Sequence, residues 1–188
     1  MPRDLYQDIA YTLISEKKLQ TRTEELARAI EADYQEVDDL LLIGVLKGSV
    51  MFMTDLSCMI RRPHQLDFMA VSSYGGGTQS SGVVQIRMDL RESITGKNVL
   101  IVEDIVDSGR TLRYLIDLLQ TRNPASLKIC TLLDKPESRV ADVTVDYTGF
   151  EIPDEFVVGY GLDFDELYRN IPFIAVLKPE AFGGVDPE

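Results

Sequence analysis

Glu103, Asp104 and Asp107 stand close together in a stretch that continues Ser108-Gly109-Arg110-Thr111. Adjacent carboxylates suit the vicinal hydroxyls of a sugar, or a magnesium ion that bridges to phosphate oxygens, since hard oxygen donors match a hard cation. The small polar residues after them open a helical pattern. A helix start holds an anion well, because its first N–H groups lack partners within the helix and its dipole is positive there. Ser108 and Thr111 add hydroxyl donors, and Gly109 lets the backbone approach closely. The acids would repel an anion in that loop unless a cation or sugar hydroxyls stood between them.

The elements around this stretch follow from apolar patterning. Val99-Leu-Ile-Val102 is a continuous apolar run of the kind found in a strand buried on both faces of a parallel sheet, with the acids following its end. Leu40 to Val45 is a second such run. It ends at Leu46-Lys47-Gly48-Ser49, after which Val50, Phe52, Met53, Leu56 and Ile60 mark a helix up to Arg61. A strand, a short Lys-Gly loop and a helix can present N–H groups to an anion, although a plain tight turn accounts for Lys47-Gly48 equally well. Leu127 to Leu133 is a further buried strand, ending at Asp134-Lys135-Pro136. Strands are also expected at Leu66–Val71, Val83–Met88 and Ile174–Leu177, Ile9–Ile14 is a short β-branched and aromatic stretch, and helices are expected from the Ser15 N-cap to about Asp33 and after Thr111. Apolar strands alternating with helices imply right-handed crossovers and a mainly parallel α/β sheet, with Lys47, Asp104 and Lys135 meeting along one edge. Ligands bind at that edge in open α/β sheets. A ligand with a phosphate at one end, a diol in the middle and a metal-bound pyrophosphate satisfies every part, and phosphoribosyl diphosphate is such a molecule. Lys47-Gly48 is then placed to receive the pyrophosphate.

The chain has 188 residues, 45% of them hydrophobic, and a net charge of −12. Such a length suits one domain, expected over 1–188. The acidic balance argues against nucleic-acid binding, which needs basic stripes. Cys58 and Cys130 sit singly in apolar segments without metal-ligand spacing, as reduced cysteines of a cytoplasmic protein do. No apolar run approaches membrane-spanning length, so no membrane partner is expected. Ser72 to Gly82 contains three consecutive glycines and reads either as a mobile hairpin tip or as a lid over a site, with a flexible loop at about 72–85. His64, the one histidine, follows Pro63 and carries no functional pattern.

Val102-Glu-Asp-Ile-Val-Asp-Ser-Gly-Arg-Thr111 resembles the phosphoribosyl diphosphate signature of type I phosphoribosyltransferases. Leu46-Lys-Gly-Ser49, Ser73-Tyr74 and Gly149-Phe-Glu-Ile-Pro-Asp-Glu-Phe-Val-Val-Gly-Tyr-Gly-Leu-Asp163 narrow the resemblance to the hypoxanthine(-guanine) branch, over about Ile9 to Leu177. It implies a mainly parallel twisted sheet flanked by helices, with a hood from the N-terminal residues and about 150–177. It further implies magnesium-dependent transfer of phosphoribosyl to hypoxanthine or guanine, in a homodimer or homotetramer. By the resemblance, Glu103 and Asp104 hold the ribose hydroxyls directly or through magnesium, and Asp107 is the general base toward purine N7. Asp107, Ser108, Gly109, Arg110 and Thr111 cradle the 5′-phosphate. Lys47, Gly48, Ser73, Tyr74 and Arg169 contact pyrophosphate or close over the reacting centre. Lys135 donates to the 6-oxo group, Phe156 stacks on the purine, the Val157 backbone meets its pyrimidine edge, and Asp163 is a magnesium ligand beside the base. The resemblance also implies a cis peptide at Leu46–Lys47. A transferase for another base such as xanthine, a non-catalytic regulator of the same fold and a phosphoacceptor receiver domain are the rival readings. The charge and the intact Asp107 and Lys135 disfavour the regulator, and a receiver has no use for the Ser-Gly-Arg-Thr loop.

Overall fold

The computed structural model describes residues 4–73 and 84–182. Its elements begin with β1 (Ile9–Ile14), α1 (Glu16–Asp33), β2 (Leu40–Leu46), α2 (Val50–Met59), β3 (Gln65–Ser73) and β4 (Val84–Met88). They continue with β5 (Asn98–Val106), α3 (Arg110–Gln120), β6 (Ser126–Asp134), β7 (Tyr147–Glu151), β8 (Val157–Val158) and β9 (Ile174–Leu177). Among the described residues, one sheet has the order β4-β3-β2-β5-β6-β7 and a smaller one the order β1-β9-β8. All neighbours in the large sheet are parallel except β4, which returns antiparallel to β3. The small sheet is antiparallel throughout.

The central strands are continuously apolar because both of their faces are covered. Leu40, Leu42, Leu100 and Val102 pack with α1 and α2 on one side. Leu41, Ile43, Val45, Val99 and Ile101 pack with Leu112, Leu115 and Leu119 of α3 on the other. A Cβ at Gly44 would come within 2.9 Å of the Phe68 ring, so only glycine lets β2 fit between β3 and α2 there. The start of α1 is the expected one: the Ser15 hydroxyl accepts from the Lys18 N–H, and Leu19, Thr23, Leu26, Ala27 and Ile30 form the buried face.

Three expectations need correction. Glu103 and Asp104 lie within β5 rather than after it, since the strand pairs with β6 through Val106↔Asp134. Helix α2 stops at Met59, short of Arg61, because Ile60 is extended and Pro63 disfavours a helical conformation at the residue before it. Strands β7 and β8 lie in segments that carried no strand signal, β7 being mixed in polarity and β8 only two residues long. The loop expected at 72–85 falls outside the described residues from 74 to 83, and Tyr74 with it.

Candidate active site at the carboxyl end of the sheet

A regular strand sends successive side chains to opposite faces. At Glu103–Asp104 the alternation breaks. Val102 packs toward α1 and α2, yet so does Ile105, while Val106 joins the α3 side. Both acids consequently line one cavity of about 310 Å³ at the carboxyl end of the sheet. Glu103 is buried, and burial followed by the neighbouring Asp104 charge raises its carboxyl well above the usual carboxylate range. Asp104 is raised to about 6, again chiefly by burial, against a 2.9 Å hydrogen bond from the Ile105 N–H. Two desolvated acids side by side favour either protons or a cation between them.

The chain leaves β5 through Asp107 and Ser108 and enters α3 at Gly109, whose φ of 78° lies in the left-handed region. Asp107, Ser108, Gly109 and Thr111 line the same cavity, so the N-terminus of α3 opens onto it. Arg110 is exposed and does not line it.

The β2–α2 turn forms the facing wall. Its Leu46–Lys47 peptide is cis, as the resemblance implies. Gly48 packs directly on Asp104: a Cβ there would lie 1.6 Å from Asp104 Oδ2. The far side is closed by the 161–169 segment. Lys47 Nζ pairs with Glu166 at 2.8 Å, and Arg169 pairs with Asp163 at 2.8 Å while donating to the Gly161 carbonyl at 2.7 Å. Among the described residues, Tyr160, Asp165, Glu166 and Tyr168 all have φ between 50° and 72°. Such crowding of left-handed non-glycine residues is strain of the kind that gathers at functional sites.

Lys135 is nearly fully buried, with Nζ 3.1 Å from Asp154 Oδ1 and 3.6 Å from Asp107 Oδ2. The hydrogen bond from Lys135 holds the Asp154 carboxyl below its ordinary range. Lys135, Phe156 and Val157 do not line the cavity of the acids; of the three, Lys135 is joined to it through Asp107. Phe156 meets Phe164 edge to face at 5.7 Å, and Val157 is buried in β8 opposite Val176. The backbone of Ser73 ends β3, and Tyr74 lies outside the described residues.

Among the described residues, no three metal-ligating side chains form a cluster. Glu103, Asp104 and Asp163 therefore do not make a closed cage; Asp163 is engaged by Arg169 and by the Glu166 N–H. Asp154, Glu166 and Arg139 belong to the site's surroundings without any local signal in the sequence. Arg139 lies in a polar segment, and its guanidinium reaches the carbonyls of Val106 and Asp107. A wider depression of about 590 Å³ lies at the opposite end of the sheet, beside Leu66 and Met88, with no helix start opening onto it.

The family model for the phosphoribosyl transferase domain matches residues 14–165. The chain belongs to the phosphoribosyltransferase family. Among relatives of this phosphoribosyltransferase, the hypoxanthine-guanine phosphoribosyltransferase of Mycobacterium avium is 52% identical, over 96% of this chain and 92% of that protein. The bifunctional protein TilS/HprT of Listeria innocua is 53% identical over 95% of this chain, which spans only 27% of the length of that relative. The crystal structure of a Staphylococcus aureus hypoxanthine phosphoribosyltransferase superposes with a TM-score of 0.91 at 50% identity, covering 97% of this chain and 98% of the other. The fold is the type I phosphoribosyltransferase fold, a mostly parallel sheet flanked by helices. No helix among the described residues is long and apolar enough to cross a membrane.

Proposed function

We propose that this phosphoribosyltransferase serves purine salvage, moving the phosphoribosyl group of phosphoribosyl diphosphate to hypoxanthine and guanine, with release of pyrophosphate. The observation that carries this reading is the Lys135 ammonium 3.6 Å from the Asp107 carboxylate, at the rim of a cavity holding an acid pair and a helix start. One end suits a sugar phosphate, and the other presents a buried donor to an oxo group.

In this reading the α3 N-terminus and the hydroxyls of Ser108 and Thr111 hold the 5′-phosphate, and Glu103 and Asp104 hold the ribose hydroxyls. Lys47, Gly48 and Arg169 receive pyrophosphate, with Ser73 and Tyr74 closing over the reacting centre. The raised carboxyls of Glu103 and Asp104 fit magnesium, which binds through one or two carboxylates together with substrate oxygens and needs no closed protein cage. Bound there, with Asp163 alongside, it would supply charge neutralisation for the departing pyrophosphate. Cleavage of the C1′–oxygen bond develops oxocarbenium character, as at other glycosidic centres. Asp107 takes the proton from purine N7 as the new C–N bond forms. Phe156 stacks on the ring and the Val157 backbone meets its pyrimidine edge. Lys135 donates to the 6-oxo oxygen and rejects adenine, whose 6-amino group would set donor against donor.

The small sheet of β1, β9 and β8 is the hood of this active site. The working protein is a cytoplasmic homodimer or homotetramer. Incubation with phosphoribosyl diphosphate, magnesium and each free base in turn tests the activity. Nucleotide from hypoxanthine and guanine is expected, and none from adenine; no product from either 6-oxopurine would overturn the reading.

A further inference from the structure

We propose that Arg139 is a positioning residue for the 5′-phosphate, holding the Val106 and Asp107 carbonyls of the β5–α3 loop so that the N–H groups of the residues after them face the cavity. The proposal rests on reading that loop as the phosphate cradle.

Three consecutive carbonyls of the loop are held from behind by one short segment. The Val106 oxygen accepts from the Lys135 N–H at 3.0 Å and from Arg139 Nη2 at 3.5 Å. The Asp107 oxygen accepts from Arg139 Nε at 3.1 Å. The Ser108 oxygen accepts from the N–H groups of Val140 at 3.1 Å and Ala141 at 3.0 Å. In a planar trans peptide the carbonyl of one residue and the N–H of the next point in opposite directions. The Val106 and Asp107 carbonyls, fixed toward Arg139, therefore send the N–H groups of Asp107 and Ser108 the other way, and the Ser108 carbonyl, fixed toward the backbone of Val140 and Ala141, does the same for Gly109; those residues line the cavity that Arg139 does not reach.

The stem of Arg139 sets the seat as well as the angle. A Cβ at Gly109 would lie 2.9 Å from Arg139 Cδ and 3.0 Å from Val143 Cγ2, so the left-handed turn into α3 rests on these two side chains. The guanidinium uses every nitrogen, since Nη1 also donates to the Val143 carbonyl at 3.4 Å and Nη2 to the Asp134 carboxylate. Asp134 neutralises the cation locally, so its contribution to anion binding comes from geometry rather than charge. The planar fork spreads its N–H groups over three nitrogens and so spans these separated acceptors; a lysine ammonium in the same place has three donors on a single nitrogen and cannot span them.

The test compares Arg139→Lys and Arg139→Met with the unaltered protein, using steady-state kinetics and calorimetric titration with IMP and with inosine, which lacks the phosphate. Tighter binding of IMP than inosine by the unaltered protein is the control on the cradle itself; its absence would sink the proposed function rather than the role of Arg139. In folded variants, KM for phosphoribosyl diphosphate and Kd for IMP should rise about tenfold or more, a loss of one or two aligned hydrogen bonds to a charged group. KM for hypoxanthine and Kd for inosine should stay within about twofold on the same scale. Arg139→Lys, which keeps the charge and most of the stem, carries the test if the methionine variant does not fold. Equal losses for ligands with and without the phosphate, unchanged phosphate-dependent binding, or unfolding of both variants would overturn the proposal.

Discussion

Replacing Gly48 by alanine probes how closely the β2–α2 turn and the acid pair are fitted. The backbone of Gly48 is not in the left-handed region, so alanine brings no conformational strain and the effect is one of contact alone. The new Cβ would lie 1.6 Å from Asp104 Oδ2 and 2.6 Å from its Cγ, where real contacts begin at about 3.0 Å. Relief requires the carboxylate and the loop to separate by more than an ångström. The loop has little room to retreat, because its carbonyl lies against Gly161, where a Cβ would approach it to 1.9 Å. The short Asp104 side chain must therefore move. A misplacement of about 1 Å at a positioned group costs on the order of 10²-fold in rate. Overpacking costs about 1–3 kcal/mol in stability. We expect kcat/KM for phosphoribosyl diphosphate to fall about a hundredfold, close to 2.7 kcal/mol in the transition state, while the protein remains folded. Steady-state kinetics with varied phosphoribosyl diphosphate, beside a thermal melt, measure both. A kcat/KM within about threefold of the unaltered protein, a difference under 1 kcal/mol, would refute the fit between the turn and Asp104.

Asp107→Ala should lower kcat by about 10²–10⁴-fold, as loss of a general base does, with a much smaller change in KM for phosphoribosyl diphosphate; equal changes in both would contradict the assignment. Lys135→Met should lower kcat/KM for hypoxanthine roughly 10–100-fold, the cost of one charged hydrogen bond, and single-turnover assays with hypoxanthine would show whether the loss is in binding or chemistry. In the native protein an alkylating reagent should modify exposed Cys58 and spare Cys130, which is fully buried and whose thiol burial pushes up; mass spectrometry should find the second label only in denaturant. Burial raises the phenols of Tyr34, to about 12, and of Tyr147 and Tyr160. A folded-state pKa above the unfolded one means stability that is complete below about pH 10 and lost as pH rises through the folded value. Urea melts should therefore weaken steeply above about pH 10, and flat stability up to about pH 12 would count against it.

Much of the scaffold is written in local pattern. Leu40–Val45 and Val99–Val102 are apolar at every position because each residue meets a helix on one face or the other, and period alone reveals it. Ser15 announces α1 by its capping hydroxyl, and Ser108-Gly109 announces the start of α3. Residue types likewise locate the acids and the Lys135 strand end. The tertiary structure decided what these residues meet. It carried β5 through Glu103 and Asp104 and broke the alternation there, turning both acids into one cavity, a change that no period encodes. It paired Lys135 with Asp154, Lys47 with Glu166 across 119 positions, and Arg139 with the Asp107 carbonyl across 32. It also made an edge strand of Tyr147–Glu151, whose mixed polarity is explained only by its place beside β6. Local periodicity determines which residues form an element and which face they bury. The partners of a charged side chain are set by crossovers that bring distant segments together, and these become visible only when the sheet is assembled.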